Sequence, residues 1–212
     1  LMALTVVLTR FPVFWVASIS FKGKQEWFAH PLHWLPSFPT LANYAAVFAN
    51  PLGVRAIYNS LIVTFSSTAI AMLTGFPAAY AISRHRTGRF SLFVLPLIVR
   101  ASPPIVFAIP LLVFYATVGM IDTLQALIPI YVGTTVFYFI WLVKPFIDAV
   151  PHEIEEAAMV DGVKRWRLQF NVVLPIVLGG VAAATIFVFI MNWTEFVLAL
   201  TLTRLDARTI PI

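Results

Sequence analysis

A histidine followed by a glutamate on a helix begins a zinc-hydrolase signature, and only His152-Glu153 approaches one in this sequence. That chemistry needs a second imidazole one turn on, at position 156, so that two rings hold the ion from one helix face, plus a third ligand. Position 156 is Glu156, and no other histidine is near it. His30 and His33 flank Pro31-Leu32, and a proline there disfavours a helical ligand pair, so both read as surface residues. Cysteine is absent, which removes disulfides and thiolate metal sites from this chain. None of the nine glycines opens a G-x-x-x-x-G-K-S/T loop, so the chain has no phosphate cradle of its own. Its functional chemistry is therefore not catalysis or ATP binding within this chain.

Composition points to lipid as the solvent. Of 212 residues, 60% are hydrophobic and 11% charged, with a mean hydropathy of +0.91. A soluble domain carries about 25% charge to wet its surface. The 15 prolines and 19 phenylalanines fit the same solvent, since membrane helices tolerate proline when neighbouring groups satisfy the freed carbonyls. The net charge of +5 is scattered through short loops and sets topology rather than a nucleic-acid stripe.

Apolar runs of roughly 20 residues, enough to cross about 30 Å of hydrocarbon, occur near 2–21, 59–83, 91–118, 123–143 and 172–194. The first is interrupted by Arg10, which leaves its boundaries open, and Pro103-Pro104 must break the third. No soluble domain lies between them, so 1–212 reads as one all-α polytopic membrane domain. Arg84, Arg86 and Arg89 follow the second run, and Lys144, Lys164, Arg165 and Arg167 follow the fourth; Gly119 to Asp122 between them holds no basic residue. The positive-inside rule puts both basic loops in the cytoplasm, and 22–58 and 195–212 outside, although Lys22, Lys24 and Arg55 make the bias imperfect. Leu41, Tyr44, Ala45 and Phe48 recur at helical spacing behind Thr40, an expected N-cap, and Asn50-Pro51 ends the pattern. That short helix lies in the membrane interface or packs on the ends of the spans.

The most informative stretch is Pro151 to Pro175, in a loop expected over 144–171. Pro151 suits a first helical position, and Glu153, Glu155 and Glu156 occupy the first turns, where the helix dipole favours negative charge. Asp161-Gly162 is a helix stop that uses glycine's access to left-handed backbone. Lys164 to Phe170 restarts a helix, and Leu174-Pro175 opens the next span. Ile154, Ala157, Ala158 and Asp161 share one narrow face that another protein can approach closely.

Glu156-Ala157-Ala158, then Gly162, then Val172 and Leu174-Pro175 resemble the "EAA" loop of binding-protein-dependent ABC importer permeases, with valine in place of isoleucine at 172. Leu41-Ala42-Asn43-Tyr44, Asn59-Ser60, Ala78-Ala79-Tyr80-Ala81, Ile121-Asp122-Thr123 and Trp193-Thr194-Glu195-Phe196 through Leu200-Thr201-Leu202-Thr203 are similar to maltose-type and glycerol-phosphate-type permeases, where asparagine is more usual than Thr194. The resemblance implies the type I importer transmembrane fold with six spans, the sixth expected beyond Ile212. It also implies a sugar or related small solute as cargo, and partners: a second homologous permease, two ATPase subunits that carry ATP and Mg, and an external solute-binding protein. In a bacterial inner membrane, Glu156, Ala157, Ala158, Asp161 and Gly162 would then couple the loop to the ATPases.

Arg100 beside Pro103-Pro104 has two readings, lining a translocation path or capping the start of a span. Arg10 invites the same question more weakly. Asn192, Trp193 and Glu195 lie near the end of the fifth span; Trp193 stacks on a sugar face or is an interfacial belt residue. The alternative function is a stand-alone secondary transporter or channel. That alternative calls for internal duplication or ionisable relays at mid-membrane, and the acids here are confined to loops and span ends.

Overall fold

The computed structural model describes residues 2–28, 30–31, 33–85, 94, 98 and 103–212, and among them there is no strand. Two compact units cover the chain, residues 1–55 and 56–212.

In the first unit, α1 (Met2–Ser20) runs through Arg10 and Pro12, and Arg10 is exposed. After a short 3₁₀ helix (Lys24–Glu26), Pro31, Pro36 and Pro39 keep the next segment out of regular structure. It is tied back to α1 instead: Ser18 Oγ donates to the carbonyl of Trp34 at 2.6 Å, and Trp34 packs edge-on against Phe11 and Trp15. Lys22, expected as a loop charge, is buried; its Nζ donates to the His33 carbonyl and lies 4.5 Å from the Trp15 ring centre. The aromatic face offsets part of the loss of water. The short helix α2 (Ala42–Ala49) ends at Asn50, before Pro51, and buries none of its residues. Its cap is Leu41 rather than the expected Thr40, whose hydroxyl still accepts from the Ala42 N–H at 3.1 Å.

The second unit begins within α3 (Pro51–His85), which overruns both ends of the expected 59–83 run. Its residues 56–85 extend about 45 Å at the usual rise of 1.5 Å each. One face is buried: Asn59, Val63, Ser67, Ala71, Ala79 and Ile82 among others, at intervals of three, four or eight. Pro103 is the non-helical N-cap, at φ −58° and ψ 138°, of α4 (Pro104–Thr117), which starts on the second proline of the pair, whose fixed φ suits a first helical position. Its 14 residues make about 21 Å, short of a full crossing. Arg86 and Arg89 of the basic loop, and residues 91–102 of the expected third run except 94 and 98, Arg100 among them, lie outside the described residues.

Thr123 caps α5 (Leu124–Asp148) through its side chain, and α5 runs past the expected end at 143. Lys144 is consequently a buried helix residue rather than the start of the loop. It pairs with Asp148 one turn on at 2.5 Å, so the positive charge is met within the helix. Beyond it come α6 (His152–Val160), α7 (Arg165–Leu168), a π-turn (Gln169–Val173) and α8 (Leu174–Ile176). The last described helices are α9 (Leu178–Trp193) and α10 (Val197–Leu202).

Of the five expected spans, α3 and α5 are long and apolar enough to cross unaided. The fifth is not the continuous 172–194 helix expected. Arg165–Ile176 and Leu178–Trp193 meet at an 86° bend, with Val177 leaving helical geometry at φ −95° and ψ 12°. Pro175 acts on the turn before that break: it lacks an N–H, and its ring crowds the Asn171 carbonyl four residues back, within the π-turn.

The core of this unit is made by α3, α5 and α9, with Ala71, Ala79, Phe139, Val143, Val181 and Val188 at its centre. Lipid tails are as apolar as these side chains, so close fit rather than water exclusion holds the helices together. Gly180 marks the tightest fit: a Cβ there would lie 2.4 Å from Phe146 Cγ. Gly180→Val is expected to cost about 1–3 kcal/mol through overpacking. It should lower the thermal midpoint of detergent-purified protein by several degrees, and adding Phe146→Ala should recover most of the loss. An unchanged midpoint in the single variant would show that the two helices separate without penalty.

Candidate functional site

The segment between α5 and α9 gathers the residues singled out for coupling. Pro151 is the N-cap of α6 rather than its first helical residue, so the helix begins one position later than expected, and Glu153 and Glu155 fill the first turn. At the other end the helix stops as the sequence suggests. The Gly162 N–H donates to the Met159 carbonyl and the Val163 N–H to the Ala158 carbonyl, both at 3.0 Å. Gly162 has φ +90°, so this is a Schellman stop that only glycine forms without strain. Glu156, Ala157, Asp161 and Gly162 are exposed and Ala158 is half-buried. Apolar side chains accompany them on the surface: Val160 is 88% exposed, and Trp166 and Ile154 are also uncovered.

The residue that fastens this helix is one the sequence reading passed over. Glu155, immediately before the EAA triplet, is buried. Arg84 Nε donates to its Oε1 at 2.6 Å, and the Tyr80 hydroxyl donates to its Oε2 at 2.5 Å. Arg84 Nη2 also donates to the Val150 carbonyl at 3.0 Å. Next to it, Ser83 Oγ donates to Asp148 at 2.6 Å. By sequence Arg84 reads only as a topological charge, because its partner lies 71 positions away. The one available signal was an arginine and a tyrosine spaced by one helical turn at the end of an apolar run. Among the described residues no group of three His, Asp or Glu side chains is placed to hold a metal.

The path residues fare differently. Arg100 is outside the described residues. Asn192 is buried in helix packing, its Nδ2 donating to Thr68 Oγ1 on α3 at 3.2 Å. Trp193 is half-buried and stacks on Phe189 at 5.9 Å. Glu195 Oε1 accepts from the Leu198 N–H at 3.1 Å, capping α10.

At the end of the unit opposite α6, Asp122 sits at φ +60° in the connection between α4 and α5. Its carboxylate accepts four backbone N–H bonds, from Arg204, Leu205, Asp206 and Ala207, at 2.9 to 3.1 Å. Asn59 Nδ2 donates to the Asp206 and Arg208 carbonyls, and Ser60 Oγ accepts from the Ile210 N–H. Three residues picked out by resemblance alone thus clasp the segment after α10. Burial works against ionising Asp122, but the four N–H donors outweigh it and hold the carboxyl well below the usual carboxylate range.

Long apolar helices, a hydrogen-bonded loop clasp at one end and an exposed short helix pinned at the other define a membrane permease domain. Residues 71–210 match the family described as the binding-protein-dependent transport system inner membrane component, and the chain belongs to that family. It is 33% identical to the sulfoquinovosyl glycerol transport system permease protein SmoH of Agrobacterium fabrum, over 95% of this chain and 72% of that protein. It is 34% identical to the inner membrane ABC transporter permease protein YcjP of Escherichia coli, over 93% and 72%. With the trehalose transport system permease protein SugB of Mycobacterium tuberculosis it shares 31% identity over 99% and 76%. A solved bacterial ABC transporter involved in the import of the acidic polysaccharide alginate has the same fold, with TM-score 0.77 and 20% identity, covering 99% of this chain and 74% of that one. The chain is a membrane-spanning permease subunit of an importer of this kind.

Asp122→Asn halves the acceptor capacity and turns an amide N–H₂ toward N–H donors. Each lost charge-assisted bond is worth about 1.5–3 kcal/mol, so tryptic cleavage at Arg204 and Arg208 should accelerate by about tenfold or more. A depressed folded pKa contributes stability that is fully present above the unfolded carboxyl value of about 3.9 and is lost as pH falls through the lower folded value. The wild-type chain should therefore keep the same mass-spectrometric protection of residues 203–208 from pH 8 to pH 5. Loss of protection by pH 5 would contradict the clasp.

Proposed function

We propose that the chain is the permease subunit of an ATP-driven sugar importer and that α6 is its coupling helix. The observation that carries this reading is the division of labour on α6. Glu155 is spent inward on Arg84 and Tyr80, while Glu156, Ala157 and Asp161 remain on the surface beside exposed Val160. A surface of small residues, two carboxylates and an apolar rim suits docking of another protein. The basic residues around it, Lys164, Arg165 and Arg167, support a cytoplasmic position for this end, with the chain in a bacterial inner membrane.

The partners are those that membership of a binding-protein-dependent transport family supports. Two separate ATPase subunits bind ATP and Mg, and their closure moves α6. A second permease, homologous to this one, completes the pathway, and an external binding protein delivers the solute at the opposite end. Both units of the chain, 1–55 and 56–212, act within one permease domain. The sugar assignment is supported by relatives named for sulfoquinovosyl glycerol and trehalose transport. Trp193 and Arg100 remain the residues proposed to border the path, Trp193 because its aromatic face can stack on a pyranose ring. Asn192 and Glu195 act there by holding helix ends in place.

Gly162→Val and Glu156→Lys separate turn geometry from surface charge. Open space surrounds Gly162, so valine meets no clash, and the cost is the left-handed backbone strain, about 1–2 kcal/mol. Both variants are expected in the membrane at wild-type abundance, with ATPase subunits co-purifying poorly or hydrolysing ATP without response to the loaded binding protein, and with uptake lost. Retention of wild-type ATPase association and uptake in both would remove α6 as the interface.

A further inference from the structure

The geometry points to the buried Arg84–Glu155 pair, completed by Tyr80, as the joint that passes movement of α6 to α3. This rests on the reading of α6 as the coupling helix and adds where its motion goes. Among the described residues, Glu155 is the only residue of α6 whose side chain hydrogen-bonds to another helix. Both its oxygens are used, one by Arg84 at 2.6 Å and one by Tyr80 at 2.5 Å, and both partners stand one turn apart on α3. The side chains of Arg84 and Glu155 are each 7% exposed. A pair shielded to that degree is screened little by salt, and separating it would leave two buried charges without partners.

The joint is also stiff in direction. Arg84 Nη2 reaches the Val150 carbonyl, so one guanidinium bridges the α5–α6 connection and α6 itself. Ser83, the neighbouring residue on α3, holds Asp148 at the end of α5. The last turns of α3 thus grip the chain on both sides of Pro151, where α5 gives way to α6. Movement of α6 along its own axis must pull on Glu155, and through it on α3. From there Thr68 and Ser67 link α3 to α9 and α5 by hydrogen bonds to Asn192 Nδ2 and the Ile128 carbonyl. Glu156, Ala157 and Asp161 are left free to hold the ATPase, while Glu155 transmits. Arg84, Tyr80 and Glu155 are positioning residues in this scheme and touch neither solute nor ATP.

The test uses the full assembly, with its partner permease, ATPase subunits and binding protein, in proteoliposomes. Three quantities are read together: ATPase subunits retained on purification, ATP hydrolysed, and solute taken up. The double variant Arg84→Met/Glu155→Met removes both charges and leaves no unpaired ion, so it should assemble like the wild type. Its uptake per ATP hydrolysed should fall about tenfold, a usual size for coupling between sites, with ATPase retention unchanged. Tyr80→Phe removes one bond of three and should lower the same ratio by a smaller factor. Two results overturn the proposal: uptake per ATP within about twofold of wild type in the double variant, or loss of uptake that merely follows loss of retained ATPase subunits. Failure of the coupling-helix reading itself has a different signature, since Glu156→Lys would then leave retention and uptake intact.

Discussion

Away from water, every polar atom on a membrane helix must find a partner in the protein, and α3 carries more of them inward than any other described helix. Asn59 and Ser60 hold the segment after α10, Ser67 holds the Ile128 carbonyl of α5, and Thr68 holds Asn192 of α9. Tyr80, Ser83 and Arg84 hold Glu155 and Asp148 at the far end. Because Asn59, Ser60, Ser67 and Thr68 are buried, each fixes a neighbour in register. The fold of the second unit follows from this one row of side chains, with Gly75 and the alanines between them letting α5 and α9 come close.

The same rule accounts for where regular structure fails. Pro175 removes a backbone donor between the coupling loop and α9, and the chain answers with a π-turn before it and a bend of 86° after it. The bend lets residues 165–176 run across the end of the helices rather than continue along them. That carries Trp166 and Phe170 onto the surface beside α6.

Much of this was legible in the residues themselves. Apolar run lengths locate α3 and α5, Pro103-Pro104 marks the start of α4, and Asp161-Gly162 marks the end of α6. What could not be read concerns partners far apart in sequence. Lys144 is the exception, with its partner Asp148 only one turn on; it looked like a loop charge because the apolar run ends at 143 while α5 continues to 148. Glu155 looked like one more first-turn acid, since its arginine lies on another helix. Asn192 looked like a path residue because an amide near a span end is as consistent with a cavity as with Thr68. Asp122 was noticed only through a resemblance. Its use, accepting four N–H groups of a turn 82 to 85 residues later, depends on a tertiary approach that no periodicity encodes.

The central claim is that this chain moves solute only as one part of an ATP-driven assembly. The direct measurement is uptake of a labelled sugar into proteoliposomes holding the chain alone, or the chain with a second permease, the ATPase subunits and loaded binding protein, each with ATP inside or with a proton or sodium gradient. The account predicts ATP-dependent accumulation in the complete assembly and none above background for the chain alone under any gradient. Accumulation by the single chain driven by an ion gradient would contradict it.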